Sequence, residues 1–207
     1  MDRTQSTIAA YNHNVNAYSA KFMDYEPYSN YVAKLAKLIS AGAKVLDIGC
    51  GPGNVAKQLF AAKPMQITGV DFSDEMVKLA RSNVPAGDFY TQDIRKLDFP
   101  RDHFNAIVMS FCIVHLSDEE SYRLLSNAIN WLYPGGILYL SFMEGKTAGF
   151  ETTSFSEEPI YFNYFTGNVI EKFLVSNGIT ILQMVRQNYN EPDGSVTTDI
   201  FIFGKKD

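Results

Sequence analysis

The run Val45-Leu46-Asp47-Ile48-Gly49-Cys50-Gly51-Pro52-Gly53 constrains this chain most. An apolar strand runs into an acid and then into three glycines at alternate positions. Glycine lets the backbone turn with φ > 0 and lets a ligand approach where a Cβ would clash. Where such a turn opens a helix after a strand, unpaired N–H groups face whatever sits in the crevice. A tight strand-to-helix turn needs glycine even without a ligand, so the next segment decides. About 18 residues on comes Ile67-Thr68-Gly69-Val70-Asp71-Phe72-Ser73, a second short β-type run ending in an acid. An acid there binds both hydroxyls of a ribose. Asp71 could instead cap the next helix, but Ser73 can do that itself. The spacing therefore implies a nucleoside-containing cofactor.

The loop narrows the choice. A dinucleotide fingerprint needs G-x-G-x-x-G; Gly49 and Gly51 fit, but Asn54 takes the third place. A P-loop needs Gly-Lys-Ser/Thr, and no such triplet exists. The pattern D-x-G-x-G-x-G, with an acid ending the next strand, resembles the class I S-adenosylmethionine-dependent methyltransferases. The resemblance covers roughly residues 43–205. It implies that Asp47, Gly49, Cys50, Gly51 and Gly53 line the methionyl edge of S-adenosylmethionine and that Asp71 holds the ribose. Phe72 would lie against the adenine, Asp93 would meet its amino group, and Ile94 would meet the ring. Met76 joins this set. Ser110 and Phe111 fall where the family places cofactor and substrate contacts. Pro134-Gly135-Gly136 looks like the family's turn into strand five. Asn105 departs from the family, which often has an acid there, at a position usually remote from the reacting atoms.

Strand and helix patterns alternate through the first two thirds. Strands are expected at Lys44–Ile48, Gln66–Asp71, Asp88–Thr91, Phe104–Ser110 and Ile137–Phe142. Helices fall near Asn54–Ala62 and Asp74–Asn83, and after the capping box Ser117-Asp118-Glu119-Glu120. The last of these would turn Tyr122, Leu125, Ile129 and Leu132 inward. This rhythm requires a mainly parallel sheet with helices on both faces. A helix is expected over Ser6–Phe22 and a second after Pro27. Glu144 to Phe165 reads as a long aromatic loop. Thr166 is expected to cap a helix ended by Gly178. The runs Thr180–Arg186 and Val196–Phe203, around Pro192-Asp193-Gly194, read as a hairpin. The expected fold is α/β: a Rossmann-like, doubly wound, mostly parallel seven-stranded sheet with a C-terminal antiparallel hairpin and an N-terminal helical cap. One domain, 1–207, comprises the cap (1–42), the cofactor-binding core (43–143), an aromatic-rich insertion (144–165), and a final helix and hairpin (166–207).

With 207 residues and 46% apolar side chains, the chain can bury a sizeable core. No apolar run reaches the 18 residues of a membrane span, and Met1-Asp2-Arg3-Thr4-Gln5 lacks a signal peptide's basic and apolar regions. A cytoplasmic location is the expectation. Cys50 and Cys112 sit at apolar strand ends, which suggests buried thiols rather than a disulfide. No ligand spacing points to a metal. A net charge of −5 without a basic block disfavours a nucleic-acid partner and favours a small-molecule acceptor. A monomer or homodimer is expected.

Methyl transfer needs the acceptor held in line and water excluded. A hydroxyl or protonated amine also needs a base. His115, just beyond the fourth strand, is the candidate catalytic base, though it also reads as a polar residue contacting backbone or cofactor. Tyr11 and Tyr18 read either as helix packing on the sheet edge or as a lid over the cofactor. The strand-four end lacks the Asn/Asp-Pro-Pro-Tyr/Phe signature of adenine-N6 and glutamine methyltransferases. Two other readings stay open, a nucleotide-binding oxidoreductase and a non-catalytic cofactor-binding module; a polyamine aminopropyltransferase would need an acidic series after strand four, which Ser110-Phe111-Cys112 does not supply.

Overall fold

A computed structural model describes residues 3–190, 194 and 196–207. Seven strands form one sheet: β1 (Lys44–Ile48), β2 (Gln66–Asp71), β3 (Asp88–Thr91), β4 (Phe104–Ser110), β5 (Leu132–Glu144), β8 (Ile179–Asn190) and β9 (Val196–Lys206). Their order is β3-β2-β1-β4-β5-β9-β8. The first five pair in parallel and β9 pairs antiparallel with both β5 and β8. The central strands carry near-continuous buried runs, as a sheet covered on both faces requires. Helices α3 (Glu26–Leu38), α4 (Asn54–Ala62), α5 (Asp74–Asn83), α6 (Asp118–Trp131) and α7 (Gly167–Ser176) supply that cover. Two buried clusters result. One holds Leu35, Val45, Leu59 and Phe201; the other holds Ile48, Ile107, Leu125 and Phe142. The strand order reverses between β1 and β4, and such a switch point opens a crevice at the strands' carboxyl ends.

The expected fold is therefore the one observed, with local differences. The expected helix over Ser6–Phe22 is two helices, α1 (Arg3–His13) and α2 (Val15–Phe22). At the break, the Asn14 side-chain amide donates to the Ala10 carbonyl at 2.9 Å, and to Ser156 Oγ at 3.1 Å. That competition with the helix ladder is why asparagine suits helix ends. The expected loop after Glu144 contains a two-stranded ribbon, β6 (Gly149–Thr153) and β7 (Ser156–Phe162), outside the main sheet. Thr166 precedes α7, but its hydroxyl makes no capping bond; Glu144 Oε1 accepts from the Gly167 N–H at 2.8 Å instead. Ser117 and Glu120 form the expected capping box. Leu125 and Ile129 are buried, whereas Tyr122 is half-buried against Phe173. The terminal strands run longer than expected; Pro192 and Asp193 of their turn lie outside the described residues.

Candidate functional site

A cavity of about 240 Å³ lies along the carboxyl ends of β2, β1, β4 and β5 and reaches β9. Its floor begins with the glycine turn. Gly49, Gly51 and Gly53 have φ of 70°, 51° and 83°, conformations L side chains rarely adopt. A Cβ on Gly49 would stand 2.5 Å from that of Cys112. A Cβ on Gly51 would meet Asn54 and Tyr18 only at 3.9 Å, and Gly49, Gly51 and Tyr18 all line the cavity. Gly53 does not line it. A Cβ there would meet Val84 and Ala80 at 3.2–3.4 Å, so this glycine lets α4 pack on α5.

Asp71 fixes the turn from the neighbouring strand. The Gly51 N–H donates to its Oδ2 at 2.8 Å and the Ser73 N–H to its Oδ1 at 2.9 Å. Each oxygen keeps a lone-pair direction for another donor. Ser73 caps α5 through the Met76 N–H, as expected, and Met76 is buried beneath the cavity. One strand over, Asp47 is 1% exposed and neither carboxylate oxygen has a hydrogen-bond partner. Burial, reinforced by the charge of Asp71, pushes its carboxyl up to about 7. An orphaned buried carboxylate is costly, and a cationic donor arriving beside it removes that cost.

Phe72, Asp93 and Ile94 close the β2–β3 end. Asp93 is gripped by Arg95, whose Nε and Nη2 donate to its two oxygens at 2.9 Å each. Arg95 also lines the cavity and its guanidinium lies 5.9 Å from the centre of the Phe72 ring. Ser110 and Phe111 stand at the end of β4. Phe111 holds φ of 52°, strained for a side-chain-bearing residue, and its N–H donates to Ser141. Asn105 lies at the other end of β4, accepting from the Lys44 N–H at 2.9 Å and away from the cavity.

The roof comes from the cap and the ribbon. Tyr11 and Tyr18 both line the cavity, and Phe155 of the β6–β7 turn packs between them at ring separations of 5.6 and 5.1 Å. His115 sits beneath Tyr11. Its Nδ1 lies 2.9 Å from the Tyr161 carbonyl, which can only accept, so Nδ1 carries the proton. Nε2 is then an acceptor, and the Tyr11 hydroxyl donates to it at 3.0 Å. Burial pushes the imidazole down to about 4 despite that carbonyl, so it stays neutral near pH 7. Burial also raises the Tyr11 hydroxyl well above its usual range. His13 is exposed, and His103 packs on Phe104 outside the cavity.

The remaining expected residues thus meet in one cavity, and the sequence reading missed several others. Asp199 and Tyr28 line it, as do Glu151, Thr153 and Phe155. Asp199 is the fourth residue of the antiparallel β9, whose early residues reach the edge where the parallel strands end. No local motif marks it. Cys50 and Cys112 are free, buried thiols, and burial raises both above the usual thiol range.

Residues 45–136 match the family model described as a methyltransferase domain. The ubiquinone biosynthesis O-methyltransferase of Xanthomonas axonopodis pv. citri (strain 306) is 32% identical over 120 residues, 56% of this chain and 49% of that protein. The demethylmenaquinone methyltransferase of Tropheryma whipplei (strain Twist) is 33% identical over 102 residues, 48% of this chain and 41% of that protein. The chain thus spans about half the length, or less, of these curated relatives. In fold, it is similar to the 1,6-didemethyltoxoflavin-N1-methyltransferase of Burkholderia thailandensis: TM-score 0.73 at 17% identity, covering 99% of this chain and 87% of that one. The matched segment carries the glycine turn and both strand-end acids, Asp47 and Asp71, and through residues 45–136 the chain is similar to methyltransferase domains.

Proposed function

We propose that the protein transfers a methyl group from S-adenosylmethionine to an oxygen, nitrogen or carbon of a small molecule. The observation that carries this reading is the pair of buried carboxylates, Asp47 and Asp71, flanking the glycine turn at the sheet's switch point. The orphaned Asp47 suits the cofactor's ammonium, and Asp71 keeps acceptor capacity for two ribose hydroxyls. Cys50, Gly49 and Gly51 give the tail a wall with no bulky side chain. Phe72, Ile94 and Met76 offer apolar area for adenine, with Asp93 and Arg95 at its edge. When bound, the cofactor supplies an activated methyl group. The chain's own residues orient the acceptor and exclude water, a positioning effect of about 7–11 kcal/mol at its best. Tyr11, Tyr18 and Phe155 close the roof. An acceptor proton passes to the Tyr11 oxygen as the Tyr11 proton passes to Nε2 of His115. The Tyr161 carbonyl keeps the imidazole in the tautomer that can receive it. Two free thiols suit a reducing cytoplasm. Among the described residues no helix is long and apolar enough to cross a membrane.

Titration calorimetry tests the cofactor half. S-adenosylhomocysteine should bind, and Asp71→Ala should weaken it by about 1–3 kcal/mol through lost charged hydrogen bonds. Binding of NADH instead gives the chain to a nucleotide-dependent oxidoreductase. For the relay, His115→Gln and Tyr11→Phe should lower kcat on the order of 10²-fold with S-adenosylhomocysteine affinity intact, and should flatten the acid limb of the pH profile. Unchanged kcat in both would remove the relay.

A further inference from the structure

The half of the cavity beyond the glycine turn has a composition of its own. Rings follow one another along its wall: Tyr11–Tyr18 at 5.5 Å, Tyr18–Phe22 at 4.8 Å, and Tyr28–Phe111 stacked at 5.3 Å. Phe155 packs on the first of these groups, 6.0 Å from Phe22, and Tyr25 links Phe22 to Tyr28 at 5.7 and 4.8 Å. At its β9 end lies Asp199, 2% exposed, with the Tyr28 hydroxyl donating to its Oδ2 at 2.6 Å. Burial first, then the charge of Asp199, keeps that tyrosine protonated far above its usual range. Glu151 lines the same half from the ribbon, held by Tyr164 at 2.8 Å and Lys146 at 3.1 Å. Among the described residues the whole cavity wall carries five carboxylates (Asp47, Asp71, Asp93, Glu151 and Asp199) against one guanidinium, Arg95. That guanidinium is at the far end and already bonded to Asp93 and Glu120. Lys21 stands outside the lining, its ammonium 5.1 Å from the centre of the Phe22 ring and bonded to the hydroxyls of Ser154 and Tyr189, which do line the cavity.

Aromatic faces attract cations, most strongly where water is excluded, and a buried carboxylate adds to that field. The same field repels anions. We propose that the acceptor is an organic amine entering as a cation, seated in the ring of Tyr18, Phe22, Tyr28, Phe111 and Phe155 with Asp199 as its counter-charge. This inference rests on the methyl-transfer reading and names its substrate class. The ammonium proton leaves through the Tyr11 hydroxyl to Nε2 of His115 and then to water. The nitrogen lone pair forms the new N–C bond as the cofactor's C–S bond breaks, and the bonding pair stays on sulfur. Positive charge passes from sulfur to nitrogen without leaving the carboxylate-lined cage, so the wall that binds the amine also favours the charge that develops there.

The test is calorimetry on full-length protein saturated with S-adenosylhomocysteine, with choline and its uncharged carbon isostere 3,3-dimethylbutan-1-ol as probes. Choline should bind at least about tenfold more tightly. Asp199→Asn should remove most of that preference while leaving S-adenosylhomocysteine affinity and the isostere unchanged. If that variant fails to fold, Tyr28→Phe serves in its place: it keeps the ring and the carboxylate, so the preference should persist. Equal affinity for the two probes, binding of neither, loss of the preference in Tyr28→Phe, or tighter binding of phosphocholine than of choline would overturn the inference. Failure of S-adenosylhomocysteine itself to bind would instead overturn the reading beneath it.

Discussion

The floor and roof of the cavity are held together by different means. The floor, at the ends of β1, β2 and β4, is backbone: parallel ladders, left-handed glycines, and amides of Gly51 and Ser73 fixed by one carboxylate. The roof, α1–α2 over the β6–β7 ribbon, is joined mainly through side chains. Asn14 reaches Ser156, the Tyr161 N–H donates to Thr7 Oγ1 at 3.1 Å, and exposed His13 meets Glu158 at 3.1 Å. Backbone ladders deep in a sheet open only with global unfolding, whereas sparse side-chain contacts at a surface open locally. A floor that must present fixed polar groups and a roof that must admit a ligand call for that division.

The largest effects should come from the floor's glycines, and they should differ in kind. Gly49→Ala combines φ of 70° with a 2.5 Å clash against Cys112. It should destabilise the protein by about 3 kcal/mol or more and abolish S-adenosylhomocysteine binding. Gly53→Ala meets Val84 and Ala80 at 3.2–3.4 Å, with φ of 83°. It should cost about 1–3 kcal/mol in denaturant melts yet leave affinity unchanged in the folded protein. Equal loss of affinity in both would erase the distinction between the glycines that face the ligand and the one that spaces two helices.

Next in size is a proton. Asp47 titrates near 7 when folded, well above an unfolded aspartate. A carboxyl raised by folding stabilises the protein below its unfolded value, near 4, and loses that contribution as pH climbs through 7. The stability of wild type minus that of Asp47→Asn should therefore fall by about 4 kcal/mol between pH 4 and 7 and then level off. Saturating S-adenosylhomocysteine should flatten the slope by pairing the carboxylate. His115, pushed down to about 4, acts with the opposite sign, so the difference between the two proteins is the quantity to follow. A flat difference would mean that Asp47 is not the desolvated group the floor places there.

The same division explains what could be read from the sequence. The floor is built from segments that announce themselves: Val45–Gly53 and Ile67–Ser73 each carry strand, turn and acid within nine residues or fewer, and parallel pairing places Asp47 one strand from Asp71. The seven-stranded sheet followed from the same alternation. The ribbon did not. Gly149–Thr153 has no buried position, and in Ser156–Phe162 only Ser156 and Ile160 are buried, so neither carries the apolar run of a core strand. Asp199 was invisible for another reason. Its neighbours in sequence are those of any β-run, and only the antiparallel register against Met143 brings it to the ligand edge. The packing of Gly53 against Val84 and Ala80 was equally hidden, since a glycine that spaces helices and one that faces a ligand look alike in a motif.

The smallest expected effect probes the seam between roof and floor. Asn14→Ala removes three side-chain bonds, one within the cap at 2.9 Å and two across to the ribbon, to Ser156 at 3.1 Å and to Glu158 at 3.4 Å. None is fully buried, so the cost should be about 1 kcal/mol, and alanine at a helix junction recovers some of it. That change should fall on the roof alone. Hydrogen exchange should quicken at the Tyr161 amide, which depends on the Thr7 hydroxyl, while amides of β1 and β4 keep their protection. Release of S-adenosylhomocysteine should speed up several-fold in stopped flow with little change in melting temperature. If instead β1 amides exchange faster in step with Tyr161, cap and sheet unfold as one cooperative unit. The cavity would then admit its ligand by a route other than the roof.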